Sequence, residues 1–491
     1  MNTLKWYRRF FAPICLTLVL ALTIGNVTAG PALQGEPDFA AIDAYITTQQ
    51  KDLGIPGMAL GIVWDGQIAH LQGFGTADSS GRAVTPQTPF YLGSVTKSFT
   101  ALAVMQLVEA GQVDLDAPVQ TYLPWFELAD KEASAKITVR NLLNQTSGIS
   151  EKDGNRFWTS KQELEEKIRG LDTIQLTRPV GTTFQYSNLN YDIAGLIVEK
   201  ISGQPYAEYI SQHVFEPLDM RHSYASRAAA LADGLAAGHH YMFGRVFGDE
   251  GAMPPAQLPS GFLIASAEDL THYAMAQLSE GRYGEPSILS PQGIAELHAP
   301  AILTKGGDPY GMGWAISPWD GTSVVWHGGD SSRFLSQLYL LPERGSAIVL
   351  LSNASGYEQE SQVHKMATGV LMMLYDKPSP GPVSLPFGTR FQYWALLLTP
   401  FLLIAGIVLV WRNRERGGIW LIILTAILNL AVVFALFRLA LNRITLPSML
   451  VFHPELGYAL IAIATIGIGW SVVYTAISLR TRRSRKNFPP G

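Results

Sequence analysis

The chain has 491 residues, 47% of them hydrophobic, a formal net charge of −4 and one cysteine, Cys15. A single cysteine excludes a disulfide framework and a cysteine-ligated zinc site, and it leaves the middle of the chain without a thiol nucleophile. Residues 31–389 hold 22 Lys and Arg against 38 Asp and Glu, a net of −16, whereas residues 390–491 hold 11 basic groups against 2 acidic ones. The acidic middle argues against nucleic acid as a partner. The 10 histidines form no HExxH pair and no tight His/Asp cluster, so neither a metal nor another cofactor is expected.

Lys5, Arg8 and Arg9 precede the apolar run Phe10 to Ile24, and Val27-Thr28-Ala29 offers a small-residue cleavage site. This is the pattern of an export signal over residues 1–29. An uncleaved signal anchor would export the middle region equally. Residues 34–377 then read as one exported domain. Phe39, Ile42 and Ile46 recur at helical spacing between Asp38 and Lys51. GMALGIVW turns at Asp65-Gly66 and returns as QIAHLQGFG, a strong hairpin signal. A loop with Pro86 and Pro89 delivers the chain to a helix that carries Phe99, Leu102, Met105 and Val108 and stops at Gly111.

From about Asp114 to Pro300 the pattern is mostly helical. Thr138 caps a short helix, Tyr191 to Ile201 is amphipathic, and Pro205 to His213, Glu268 to Gln277 and a helix opened by Pro291 follow. Strands return at Met312 to Ser317, Thr322 to Trp326, Phe334 to Leu341 and Ser346 to Leu351, and the helix Gln359 to Leu374 closes the domain. The expected class is α/β (α+β): an antiparallel sheet built from both chain ends, flanked by helices, with an inserted helical subdomain.

A Pro-rich linker, 378–389, leads to three apolar runs at about 391–411, 419–437 and 456–479. Each is near the roughly 20 residues that span a bilayer. Arg412, Arg414 and Arg416 follow the first run, and Arg480, Arg482, Arg483, Arg485 and Lys486 follow the third. Three spans put both basic groups on one side, and basic flanks favour the cytoplasm. The expectation is a three-helix transmembrane tail over 390–480, a basic cytoplasmic end at 481–491 and the lipid bilayer as a partner.

Three short stretches carry chemistry. Ser94 and Lys97 lie three apart on one helix face. A hydroxyl at a helix N-terminus beside an amine is a workable nucleophile, because the amine takes or steers its proton. Tyr186 and Asn188 sit two apart in a tight segment before an apolar helix. A nearby ammonium favours the ionised phenol, which makes Tyr186 a candidate base. His327-Gly328-Gly329 is placed at the end of a strand, where the glycines let a substrate backbone approach.

The ordered set Ser94-x-x-Lys97, Tyr186-x-Asn188 and His327-x-Gly329 resembles the serine beta-lactamase and penicillin-binding superfamily. It is most similar to the branch holding class C beta-lactamases, D-alanyl-D-alanine carboxypeptidases and esterases. GFGTADSSG, LLNQTSGI, FQYSNLNYDIAGLIVEKISG and the PYGMGW stretch extend the likeness over residues 38 to 374. The resemblance implies Ser94 as the acylated nucleophile, Lys97 as its proton partner and Tyr186 as the proton shuttle. It further implies Asn188, His327 and Gly329 in substrate binding, and the backbone N–H groups of Ser94 and Asp330 as the oxyanion hole. His327 stands where many relatives carry a lysine; protonation would partly restore that charge. Arg333, close by in sequence, is a candidate grip for a substrate carboxylate or polar side chain.

With its three apolar runs the chain also resembles membrane-anchored peptidases that activate or inactivate nonribosomal peptides by cutting after a D-amino acid. That likeness implies a small or N-acylated peptide substrate. It also implies a multi-pass protein of the bacterial inner membrane with its catalytic domain on the periplasmic or extracellular side. A carboxylesterase and a beta-lactamase share the same nucleophile and remain open. So do a slowly acylated penicillin-binding sensor and a transporter with a fused domain.

Overall fold

The computed structural model describes residues 37–157, 161–242, 245–248, 254–285, 287–356, 359–378, 381, 387–412, 427, 430–436, 438 and 445–487. The export signal, residues 1–29, lies outside them, as does most of the linker. The first helix, Phe39–Leu53 (α1), is capped by Asp38, whose carboxylate accepts from Ala41 N. It leads into the hairpin Gly57–Trp64 (β1) and Gln67–Gly75 (β2). Asp65 and Gly66 both take positive φ, 50° and 70°, as a tight two-residue hairpin turn requires.

The remaining strands of the main sheet come from the other end of the domain: Ile302–Leu303 (β3), Pro309–Tyr310 (β4), Ala315–Trp319 (β5), Thr322–Asp330 (β6), Leu335–Leu341 (β7) and Ser346–Ser352 (β8). The eight pair antiparallel in the order β2-β1-β8-β7-β6-β5-β4-β3. The first and last long strands are thus neighbours, with Met58 opposite Ser352 and Val63 opposite Ala347. β6 runs on through His327-Gly328-Gly329 to Asp330, so those residues form the last part of the strand itself.

Both faces of the sheet are covered. Ala59, Val63, Leu338, Val349 and Leu351 join the larger core with the helical middle, whereas Met58, Leu60, Ile62, Tyr339, Ile348 and Leu350 face a second core. The alternation is the period-two pleat, and burial on both sides explains why these strands read as near-continuous apolar runs. The larger core holds the helices Thr96–Glu109 (α2), Asn188–Ser202 (α3) and Ala267–Leu278 (α4). The second is closed by α1 and Gln359–Leu374 (α5) through Ile42, Ile46, Met366 and Val370.

Beyond the linker stand Phe387–Arg412 (α6), Leu446–Phe452 (α7) and Pro454–Asn487 (α8). This part corrects the expected three-helix tail. Among the described residues one stretch, Pro454–Val473 of α8, is long and apolar enough to cross a membrane. α6 continues through Pro400, and the apolar stretch found among its described residues, Trp394–Val408, is shorter than that of α8. The run at 419–437 lies mostly outside the described residues. The multi-pass inner-membrane topology built on three spans falls with them, and the basic end continues α8 as far as Asn487.

Leu350 is fully buried and Leu303 is 64% exposed. Leu350→Ala should therefore cost about 2–5 kcal/mol of stability, and Leu303→Ala within about 0.5 kcal/mol. Denaturant midpoints of the two full-length variants check this; equal shifts would contradict the two-core description.

Candidate active site

Ser94 sits in one 3₁₀ turn, Gly93–Val95, which feeds α2. That turn is pressed against β6. A Cβ on Gly93, at φ 51°, would stand 2.5 Å from Asp330 N, and one on Gly329 would stand 2.0 Å from Leu92 O and 2.9 Å from Ser94 N. Glycine at both positions is therefore a condition of the contact, which brings the Ser94 and Asp330 backbones side by side.

Lys97, the second residue of α2, is fully buried. Its Nζ lies 3.0 Å from Ser94 Oγ, 2.7 Å from Asn188 Oδ1 and 2.7 Å from the Ser260 carbonyl oxygen. Burial pulls its pKa down to about 7, against the opposing pull of Asp192. As a neutral amine it keeps two N–H groups for Asn188 and Ser260 and turns its lone pair to the Ser94 hydroxyl. Asp192, whose charge opposes that fall, is itself bound at 2.6 Å to Lys167 in a pair with no solvent exposure.

The Tyr186 ring lies under Lys97, with Nζ 4.8 Å from its centroid, and its hydroxyl shares a hydrogen bond with Ser94. Burial pushes the phenol well above its ordinary pKa, Tyr310 adds to the rise, and the Ser94 bond opposes it. The phenolate expected from a neighbouring ammonium is thus outweighed by desolvation, and Lys97 is the better base of the two.

His327 projects from β6 with Nδ1 2.6 Å from Gly328 O and Nε2 3.2 Å from the Tyr310 hydroxyl. A carbonyl only accepts, so Nδ1 carries the proton and Nε2 accepts from Tyr310. Burial, reinforced by Lys97, brings its pKa down to about 3. A charged His327 in place of the relatives' lysine is therefore not what this environment favours. The Asp330 carboxylate accepts from Ser332 N at 2.6 Å and Ser355 Oγ at 2.9 Å; burial, then Glu360, raises its pKa to about 7.

These residues open on a cleft of about 730 Å³. Ser94, Tyr186, Asn188, His327, Gly329 and Asp330 line it, and Lys97 lies behind them. Arg333 is not among its walls. Its Nη1 donates to the carbonyls of Ser332 and Val451, at 2.8 and 2.9 Å, which spends the grip expected for substrate on the chain's own backbone.

Several contributors had gone unassigned. Tyr310 comes from the PYGMGW stretch, whose likeness to relatives was its signal. Gln145, from LLNQTSGI, brackets Tyr186: its carbonyl accepts from Gln185 N at 2.7 Å and its Oε1 from Ser187 N at 2.9 Å. Asn155 accepts at 3.1 Å from Asn188 Nδ2. Glu151 and Glu360 also face the cleft, and among its described walls there is no Lys or Arg.

The neutral amine is the competent form of Lys97, so activity should fall as pH drops through about 7, close to tenfold per unit below it. Turnover of an uncharged ester against pH measures this, and Lys97→Arg should abolish the profile along with the rate. Lys167→Met, which frees Asp192 to hold Lys97 charged, should move the apparent pKa upward. A profile flat from pH 5 to 9 would refute the assignment of Lys97 as base.

Comparison with known proteins bears on the chemistry. The Beta-lactamase family model matches residues 42–371. Protein flp of Staphylococcus aureus (strain MW2) is 28% identical over 336 residues, 67% of this chain and 66% of that one. Unguisins hydrolase ungD' of Aspergillus campestris (strain IBT 28561) is 28% identical over 344 residues, 66% of this chain and 64% of that one. The chain thus spans about two thirds of the length of these relatives. The octameric penicillin-binding protein homologue from Pyrococcus abyssi superposes with a TM-score of 0.63 at 29% identity, covering 74% of this chain and 82% of that one. A family match over most of the two-core domain, joined to a solved relative of the same fold, settles the affiliation: the chain belongs to the Beta-lactamase family.

Proposed function

We propose that the chain hydrolyses small esters or amides without an anionic group, through an acyl-enzyme on Ser94, as a member of the class C-like branch. The observation that carries this reading is the buried amine of Lys97, 3.0 Å from Ser94 Oγ with its pKa near 7. Lys97 takes the hydroxyl proton as Oγ attacks the carbonyl carbon. The N–H groups of Ser94 and Asp330 face the developing oxyanion, a contribution of about 3–4 kcal/mol per donor in comparable sites. The proton passes through the neutral Tyr186 hydroxyl to the leaving alcohol or amine, and the carbonyl–leaving group bond breaks. Water, deprotonated by the same pair, then releases the acid and restores Ser94.

The cleft's charges support the choice of substrate. A carboxylate-bearing lactam would meet a neutral His327, the carboxyl groups of Glu151, Asp330 and Glu360, and no Lys or Arg among the described walls. Repulsion and desolvation both disfavour it. Cleavage next to a D-amino acid, including maturation or inactivation of an N-acylated nonribosomal peptide, is a narrower form of the same chemistry. The relative named unguisins hydrolase favours turnover over a slowly acylated sensor.

The full-length protein should hydrolyse p-nitrophenyl acetate faster than nitrocefin, and Ser94→Ala should lower the rate by about 10³-fold or more. N-acyl-D-Asn amides and D-Ala-D-Ala peptides in the same panel separate peptidase from esterase. Undiminished turnover in the Ser94→Ala protein would refute the nucleophile, and preferred turnover of nitrocefin would refute the substrate class.

A further inference from the structure

The short helix α7 belongs to the tail, yet it sits on the hydrolase domain. Thr445 caps it and Pro447 opens its first turn. Ser448 Oγ donates to the Asn155 carbonyl, and Arg333 Nη1 donates to the Val451 carbonyl at 2.9 Å. Phe452 packs against the larger core. Phe452 and His453, the end of this helix, line the cleft that holds Ser94.

The attachment reaches the reacting groups in three links. Lys97 Nζ lies 2.7 Å from Asn188 Oδ1, Asn188 Nδ2 donates to Asn155 Oδ1 at 3.1 Å, and the Asn155 carbonyl accepts from Ser448. One residue further on, α8 begins the apolar stretch Pro454–Val473. The tail therefore contributes Phe452 and His453 to the same cleft that Glu151 and Glu360 line.

We infer that Phe452 is a specificity-determining residue, and that the cleft takes substrates carrying an apolar group next to the scissile carbonyl, laid against the Phe452 ring. The inference rests on the ester and amide reading above. A polar group is drawn to the carboxylates, whereas an apolar one gains by burying surface against the half-buried Phe452 ring of the cleft wall. The Arg333 and Ser448 bonds hold that face in place, so the tail acts as part of the binding site as well as an anchor.

Two arms test this on the full-length chain, with p-nitrophenyl acetate and octanoate as probes. In the native background, Phe452→Ala should lower the octanoate-to-acetate ratio of kcat/KM about tenfold, mainly through KM, and Phe452→Leu should restore most of it. In the Ser94→Ala background, where no turnover is needed, Phe452→Ala should weaken octanoate ester binding about tenfold relative to acetate ester. An unaltered ratio in the binding arm, or equal weakening for both esters, overturns the inference. Absent turnover with the binding difference intact overturns the hydrolase reading and leaves Phe452 its role.

Discussion

The site depends on keeping one amine out of water. Lys97 has no exposed surface, and its near neighbours are two oxygen acceptors, a phenol ring and a hydroxyl, with no carboxylate in direct contact. An ammonium there loses its hydration and gains only dipoles in return, so the proton is held weakly. The carboxylate that might have stabilised it, Asp192, is occupied by Lys167. Two buried lysines thus share one anion, and the one without it becomes the base. Every other feature of the site either preserves that dryness or aims the resulting lone pair.

Aiming is done by backbone against backbone. The Gly93–Val95 turn and the end of β6 touch so closely that a methyl group on either glycine would overlap main-chain atoms. Ser336 reinforces the join by donating to the Leu92 carbonyl at 2.5 Å. Asp330 is paired with Leu335 of β7, so its position is set by the sheet on that side, while the pairing of β6 with β5 ends at Trp326. Residues fixed on regular elements keep their geometry better than residues on loops.

Much of this was readable from residue order alone. The hairpin at Asp65-Gly66, the helix Gln359–Leu374 and the three motif stretches follow from turn chemistry, periodicity and resemblance. What local pattern lacked was environment. The motifs suggest that Tyr186 meets a charged lysine, but only the packed site shows both groups desolvated, which lowers the Lys97 pKa and raises that of Tyr186. The Lys167–Asp192 pair joins positions 25 apart with no periodic signal. In the tail, apolar composition suggested three equal spans, whereas among the described residues one stretch, Pro454–Val473, is long and apolar enough to cross a membrane. The helix Leu446–Phe452 was not expected at all, and nothing local told that it would reach back across 293 residues to Asn155.

The adjacency of β1 and β8 carries a kinetic consequence. Gly57 N donates to Asn353 Oδ1 across 296 residues, and the strands beside it zip together the two ends of the domain. Closing so long a loop is entropically slow, and both sheet faces stay incomplete until it closes. A nascent chain that has emerged only as far as its helical middle therefore carries an apolar strand edge with no mate. Its escape from clumping depends on how fast the ribosome delivers the last hundred residues of the domain, or on a helper that shields the edge meanwhile.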